Sequence, residues 1–264
     1  MNDFKPYEIL DGNRDKGMVI LGDHAMNRLP AHYNQLGLPA AAFERHIAYD
    51  IGVEGLCRAL AARLDVPAVL GGFSRLLIDP NRGEDDPTLI MKISDGAIIP
   101  GNHPISDAEW DDRISIYHRP YHQAVAATIA GVAEASGQAP LVLSMHSYTP
   151  AWKDVPRPWH AAVLWDTDDR AVLPLLSMLR AEGLLVGDNE PYDGALRGDT
   201  LYQHCMVTGI PHTLLEVRQD LIGDAAGIMA WADRLAPIFA AMNADPALHE
   251  YKVFPSRTGP YELG

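Results

Sequence analysis

PLVLSMHSYTP, residues 140–150, runs an apolar stretch straight into a histidine flanked by two serines. A short continuous apolar run bounded by turn residues reads as a strand covered on both faces. Polar residues at the carboxyl end of such a strand stand where open α/β sheets hold their ligands. The stretch therefore predicts a largely parallel sheet with a site at its carboxyl edge.

Working outward, further short β-rich runs alternate with longer helical patterns. Strands are expected at Met18–Leu21, Ala68–Leu70, Leu76–Ile78, Leu141–Met145, Ala161–Leu164, Leu184–Val186 and Thr213–Val217. Helices are expected at Ala41–Tyr49, Gly52–Leu64, Ile114–Ala135, Ala171–Glu182 and Ala225–Asn243. Val53, Leu56, Leu60 and Leu64 recur at helical spacing and mark a core-facing stripe. Alternation of this kind is the pattern of an α/β fold in three layers, α/β/α, around a largely parallel mixed sheet. A Gly-, Pro- and Asp-rich segment, 83–113, is longer than ordinary connections and reads as a lid or site-lining loop.

The 264 residues, 47% hydrophobic and 21% charged, suit one domain over 1–264. Acidic residues outnumber basic ones by 35 to 21, a formal charge of −14, and no basic run stands out. Nucleic acid and anionic membranes are thereby poor partners. No apolar stretch reaches the roughly 20 residues that span a bilayer. The polar start MNDFKPYEILDG lacks a signal-peptide core, so a cytoplasmic location is expected. Cys57 and Cys205 fit no scaffold spacing and read as small buried hydrophobes. Oligomeric state is not legible in the sequence.

Four strand exits collect the residues able to do chemistry. After Met18–Leu21 come Asp23, His24 and Asn27; after Leu76–Ile78 come Asp79, Asn81 and Arg82. His146 and Ser147 follow Leu141–Met145, and Glu216, Arg218 and Asp220 lie at the end of Thr213–Val217. Imidazole plus carboxylate is the usual ligand set of a catalytic zinc. A carboxylate in the apolar run TLLEV costs several kcal/mol unless it is paired, on the order expected for any buried charge, so Glu216 reads as functional. His118 and His122 lie four apart on one helix face, but Arg119 occupies the place of the zinc helix's Glu. They read as lining a site or packing.

Taken in order, DHAMNRLP, HIAYDIGVEGL, SRLLIDPNR, IIPGN, YHRPYH, LVLSMHSYTP, GDNEPY and LLEVRQDLI resemble the N-formylglutamate amidohydrolase family, over about residues 18–222. That family is similar to the zinc carboxypeptidase-like amidohydrolases, which implies a phosphorylase/hydrolase-like fold. DPNR is similar to their D-x-N-R motif, whose Arg grips a substrate carboxylate, and MHSY to their second zinc histidine. The resemblance implies one zinc ion held by His24, His146 and a carboxylate. The carboxypeptidase pattern H-x-x-E is broken here, because His24 is followed by the neutral Asn27. Asp50, at a helix break, is the preferred substitute, with Asp23 as the second candidate and Asn27 as the poorest.

The reaction implied is hydrolysis of N-formyl-L-glutamate, or a similar N-formyl or N-acyl amino acid, to formate and the free amino acid. Glu216 is the expected general base and Arg75 an aid to the oxyanion. Asn81 and Arg82 are expected to bind the α-carboxylate, and Arg218 or Arg119 the side-chain carboxylate of a small anionic substrate. Tyr192 is a candidate donor to the scissile amide, and His122 and Ser147 candidate wall residues. Two rival readings remain: an amidohydrolase for another N-acyl amino acid or small peptide, and an anion-binding protein without metal.

Overall fold

The computed structural model describes residues 4–261. Strands β1 (Tyr7–Leu10), β2 (Met18–Gly22), β3 (Ala68–Gly71), β4 (Leu141–Tyr148), β5 (Ala161–Leu164), β6 (Val186–Asp188) and β7 (His212–Arg218) form one sheet in the order β1-β3-β2-β4-β7-β5-β6. The central strands β3, β2, β4 and β7 are mutually parallel. β1 runs against β3 at one edge, and β5 runs against β7, with β6 parallel to β5. Every residue of β2 and β4 is buried, as expected of parallel strands covered on both faces.

Helices α1 (Val53–Leu64), α2 (Asp107–Arg113), α3 (Arg119–Ser136), α4 (Val172–Ala181) and α5 (Ala225–Asn243) complete the three layers. α1, α4 and α5 bury Leu56, Leu60, Leu175, Leu235 and Phe239 on the sheet face carrying Ile20, Leu143 and Leu215. α3 packs Tyr121, Val125 and Ile129 on the opposite face, with Val19, Val142 and Leu214. Because side chains alternate along a strand, His146 and Glu216 share the face covered by α3. The fold is α/β with a mixed, largely parallel sheet, as the sequence pattern implies.

Several elements differ from the sequence expectation. Leu76–Ile78 is a turn, not a strand: Leu76 N–H donates to Ser74 Oγ and Leu77 N–H to the Ser74 carbonyl. Its three side chains are nevertheless fully buried, so an apolar run of this length did not separate strand from core turn. Ala41–Tyr49 holds only a 3-10 turn, Ala40–Glu44, ended by extended backbone at Arg45. The strand expected at Leu184–Val186 forms two residues later, at Val186–Asp188. The half-exposed edge strand β1 and the helix α2, capped by Ser106, have no counterpart among the expected elements.

No residue of 83–113 lines the large cavity described below, so this segment is not a wall of it. Arg113 pins the segment instead. Its buried guanidinium donates to the Leu77 carbonyl at 2.9 Å, Asn102 Oδ1 at 2.7 Å, the Gly101 carbonyl at 3.0 Å and Glu109 at 2.7 Å. Asn102 in turn donates to the Leu76 and Met91 carbonyls. Arg113→Ala is therefore expected to cost about 3 kcal/mol or more, because it strands buried acceptors. Urea denaturation would read this as a lower midpoint at unchanged slope. Among the described residues no helix is long and apolar enough to cross a membrane.

Candidate active site

Three chain segments meet over the carboxyl ends of β2, β3, β4 and β7. The exit of β2 carries Asp23 and His24. The segment 47–51 docks beside it through a hydrogen bond from Asp50 N–H to the His24 carbonyl. Gly52 lets the chain turn from this segment into α1: its φ is +85°, and a Cβ there would clash with the Ile222 carbonyl oxygen. The third segment, the turn 74–82, supplies Arg75, Asp79, Asn81 and Arg82.

His24, Asp50 and His146 present ligand atoms within 4.8 Å of one another, all buried. His146 Nδ1 lies 2.9 Å from Asp50 Oδ2, and His24 Nδ1 lies 3.6 Å from the same oxygen. The far nitrogen of each imidazole is held by a second carboxylate: His24 Nε2 by Asp79 at 2.6 Å, and His146 Nε2 by Asp23 at 3.0 Å. Such carboxylate–imidazole pairs set the tautomer and raise the basicity of a ligating histidine. His24 Nδ1 is buried without a hydrogen-bond partner. An orphaned imidazole nitrogen, a second imidazole and a carboxylate converging on one point fit a divalent cation with nitrogen and oxygen preference such as zinc.

Asp23 and Asn27, the alternative third ligands, are engaged elsewhere. Asp23 is fully buried behind His146 and also accepts hydrogen bonds from Tyr121 at 2.7 Å, Thr200 at 2.7 Å and Ser144 at 3.1 Å. Asn27 donates to the Phe43 carbonyl at 2.8 Å. Asp79 is held by Arg75 at 2.7 Å and by the Asn81 amide at 2.9 Å.

Beside this cluster opens a cavity of about 650 Å³. Glu216 lies on its wall, directly across the β4–β7 ladder from His146. Burial pushes the Glu216 carboxyl up to about 7, with Asp50 adding to the rise against the lowering influence of His146, Arg75 and His24. Arg75, Asn81, Arg82, Ser147 and Tyr192 also line the cavity. Ser147 donates to the Ile51 carbonyl and so shapes the wall. The Tyr192 hydroxyl accepts a hydrogen bond from Arg157 at 2.6 Å.

Three expected substrate-binding residues lie away from the cavity. Arg119 pairs with Glu84 at 2.8 Å on the surface. Arg218 is clamped on Asp220 at 2.7 Å and donates to the Arg157 and Trp159 carbonyls. His122 is bound to His204 at 2.9 Å and to the Pro80 carbonyl at 3.0 Å, in a separate depression with His118. In each case tertiary packing turns the side chain to a different partner.

Sequence reasoning overlooked Asp199, which lines the cavity. Burial pushes its carboxyl up to about 7, opposed by the hydrogen bond from the Tyr202 amide and aided by nearby Asp23. In sequence it looks like an ordinary cap of the helical turn that follows, a role it also fills.

Comparison with known proteins follows the same lines. Residues 17–223 match the model of the N-formylglutamate amidohydrolase family. A gene product of Agrobacterium tumefaciens of known structure is 30% identical, with a TM-score of 0.84, over 90% of this chain and 94% of its own. An N-formylglutamate amidohydrolase from Ralstonia eutropha JMP134 shares the fold at 22% identity and a TM-score of 0.68, over 90% of this chain and 97% of its own. No curated protein sequence matches the chain.

Proposed function

The chain belongs to the N-formylglutamate amidohydrolase family, and on that premise we propose that it hydrolyses the amide bond of an N-formyl or similar N-acyl amino acid with the help of a divalent metal, zinc being favoured. The observation that carries this reading is the convergence of His24 Nδ1, His146 Nδ1 and Asp50 beside Glu216. His24, Asp50 and His146 would hold the zinc ion, which when bound would supply Lewis acidity to the amide carbonyl and to water.

The remaining steps belong to the chain's own residues. Asn81 and Arg82 receive the substrate carboxylate; Arg82 lines the cavity with no carboxylate nearer than Asp86, at 3.9 Å. Glu216 takes a proton from the attacking water as the new C–O bond forms. It returns that proton to the amide nitrogen as the C–N bond breaks, so formate and a free amino acid leave. Arg75 is braced by Asp79 at 2.7 Å and lies 3.7 Å from Asp50. Its charge supports the developing oxyanion from that fixed position.

Formate release from N-formyl amino acids, before and after chelation and again with zinc, tests the reading. Activity lost on chelation and restored by zinc is the expected result; equal turnover by metal-free protein would sink the metal role. The pH profile follows from Glu216, which must be ionised to accept a proton. Its value near 7, lowered further by a nearby cation, sets an acid limb in kcat/KM at pH 7 or below. Activity is expected to fall as pH drops through that limb, and Glu216→Asp is expected to shift it.

A further inference from the structure

Behind the turn that carries Asn81 and Arg82 stand three imidazoles that the reaction above does not use. Burial lowers the pKa of His118, His122 and His204, so all three are neutral at neutral pH. His118 Nε2 lies 2.9 Å from the Arg82 carbonyl, and His122 Nε2 lies 3.0 Å from the Pro80 carbonyl. A carbonyl only accepts, so both Nε2 atoms carry hydrogen and donate. His122 Nδ1 is then an acceptor and takes the Nε2–H of His204 at 2.9 Å. The rings lie side by side, with centroids 4.3 Å apart for His118 and His122 and 5.2 Å apart for His122 and His204.

Two irregular turns deliver this trio. His118 ends the π-helical turn Ile114–His118, and His204 lies within a second one, Tyr202–Met206. Such turns are rare and recur at functional sites, and these two bring their imidazoles to the same stretch of backbone. The two donors grip the chain immediately before Asn81 and immediately after Arg82. Between those clamps the Asn81 N–H donates to Asp79 at 2.9 Å, and Asn81 Oδ1 accepts from the Thr200 N–H at 3.0 Å. The NH₂ end of the Asn81 side chain is thereby left to meet a ligand in the cavity that it lines.

We infer that His118 and His122 are positioning residues for substrate recognition: their two hydrogen bonds fix Asn81 and Arg82 where both engage the α-carboxylate of the N-acyl amino acid. His204 sets the tautomer of His122. The inference rests on the assignment of Asn81 and Arg82 to that carboxylate in the reading above. The amide of glutamine reaches the position of an imidazole Nε2, whereas that of asparagine stops at the position of Nδ1. His118→Asn and His122→Asn are therefore expected to raise the KM for N-formyl-L-glutamate by about 10- to 100-fold with kcat within about threefold of wild type, the pattern of lost ground-state binding. His118→Gln and His122→Gln are expected to recover most of that loss. For the α-carboxamide of the same compound, which lacks the charge these residues serve, the Asn variants are expected to keep the wild-type KM within about threefold. His204→Leu, at a partly exposed position, is expected to raise the KM for the glutamate compound about threefold by freeing the His122 tautomer. An unchanged KM in the Asn variants, or in His204→Leu if those do not fold, overturns the inference and leaves the amidohydrolase reading standing. A rise shared equally by the carboxamide does the same.

A second readout separates this inference from the reaction it rests on. Zinc-loaded Glu216→Gln protein, with and without His122→Asn, is titrated calorimetrically with N-formyl-L-glutamate and its α-carboxamide. Weaker binding of the carboxylate compound alone on adding His122→Asn supports the inference even if the wild-type protein turns over neither compound, in which case the amidohydrolase reading alone fails. If Glu216→Gln protein binds the carboxylate compound no more tightly than the carboxamide, the carboxylate role of Asn81 and Arg82 falls, and the inference with it.

Discussion

Glu216→Gln is expected to lower kcat by about 100- to 10,000-fold, the range associated with loss of a positioned proton-transfer group. Glutamine keeps the shape of the side chain and cannot accept the proton of an attacking water. Glu216 faces His146 across the sheet ladder and carries a carboxyl raised to about 7 by burial. Near neutral pH it is already partly protonated in the metal-free protein, so the amide disturbs the local charge little. Substrate affinity, zinc content and the circular dichroism spectrum are therefore expected to stay close to those of the wild type. Kinetics of formate release, run beside elemental analysis, check this. A kcat reduced by less than about threefold would remove Glu216 from the proton-transfer role.

The second large effect is the exchange of a proton for a metal at His146. Burial opposes charge on this imidazole, but hydrogen bonds to Asp23 and Asp50 outweigh it and push its pKa up to about 10. For Asp23, Asp50 and Asp79 burial acts upward, yet the neighbouring histidines and Arg75 hold all three carboxyls well below the usual range. The metal-free protein thus carries an imidazolium between two carboxylates, with its Nδ1 proton directed at Asp50.

The sign of the pH dependence follows for each group. His146 has a raised folded pKa, so its contribution is complete below its unfolded value of 6.5 and is lost as pH rises through about 10. The carboxylates have depressed folded pKa values, so theirs is present above the unfolded value of 3.8 and is lost as pH falls through the folded ones. From these groups, chelated protein is expected to be most stable between pH of about 4 and 6.5.

Zinc must displace the Nδ1 proton of His146. Its apparent affinity is expected to rise about tenfold per pH unit between roughly 6.5 and 10, the slope for release of one proton. Zinc-loaded protein should correspondingly lose the alkaline decline in stability. Urea unfolding of chelated and loaded protein across pH, with chelator competition for affinity, measures both. A chelated protein whose stability stays flat from pH 6.5 to 10 would contradict the assignment. Asp23→Asn is expected to flatten that decline and to weaken zinc binding by about 10- to 100-fold, the usual effect of losing a ligand's supporting carboxylate.

Much of the architecture was legible because it is written in local patterns. LVLSMHSY is apolar enough to demand burial on both faces, and β4 is buried throughout. α1 announced itself by the helical spacing of Val53, Leu56, Leu60 and Leu64, and α5 has the expected bounds. The turn at Leu76–Ile78 was not legible, because three consecutive leucine and isoleucine residues are buried alike in a strand or in a turn clamped by Ser74, Asn102 and Arg113. Edge strand β1, half-exposed and only four residues long, carries too little periodicity to register.

For the site the division is similar. Sequence by itself determined the kinds of groups available: histidines and carboxylates placed at strand exits, because a buried strand delivers its carboxyl end to one edge of the sheet. Only the tertiary structure decided which of them face one another. Asp50 reaches His24 and His146 from a segment over 90 residues from the latter, while Asp23, next to His24 in sequence, turns inward to brace His146 from behind. Arg119 and Arg218 were drawn to Glu84 and Asp220 rather than to the cavity. Pairing of charges is settled by three-dimensional proximity and desolvation, neither of which has a signature in linear spacing.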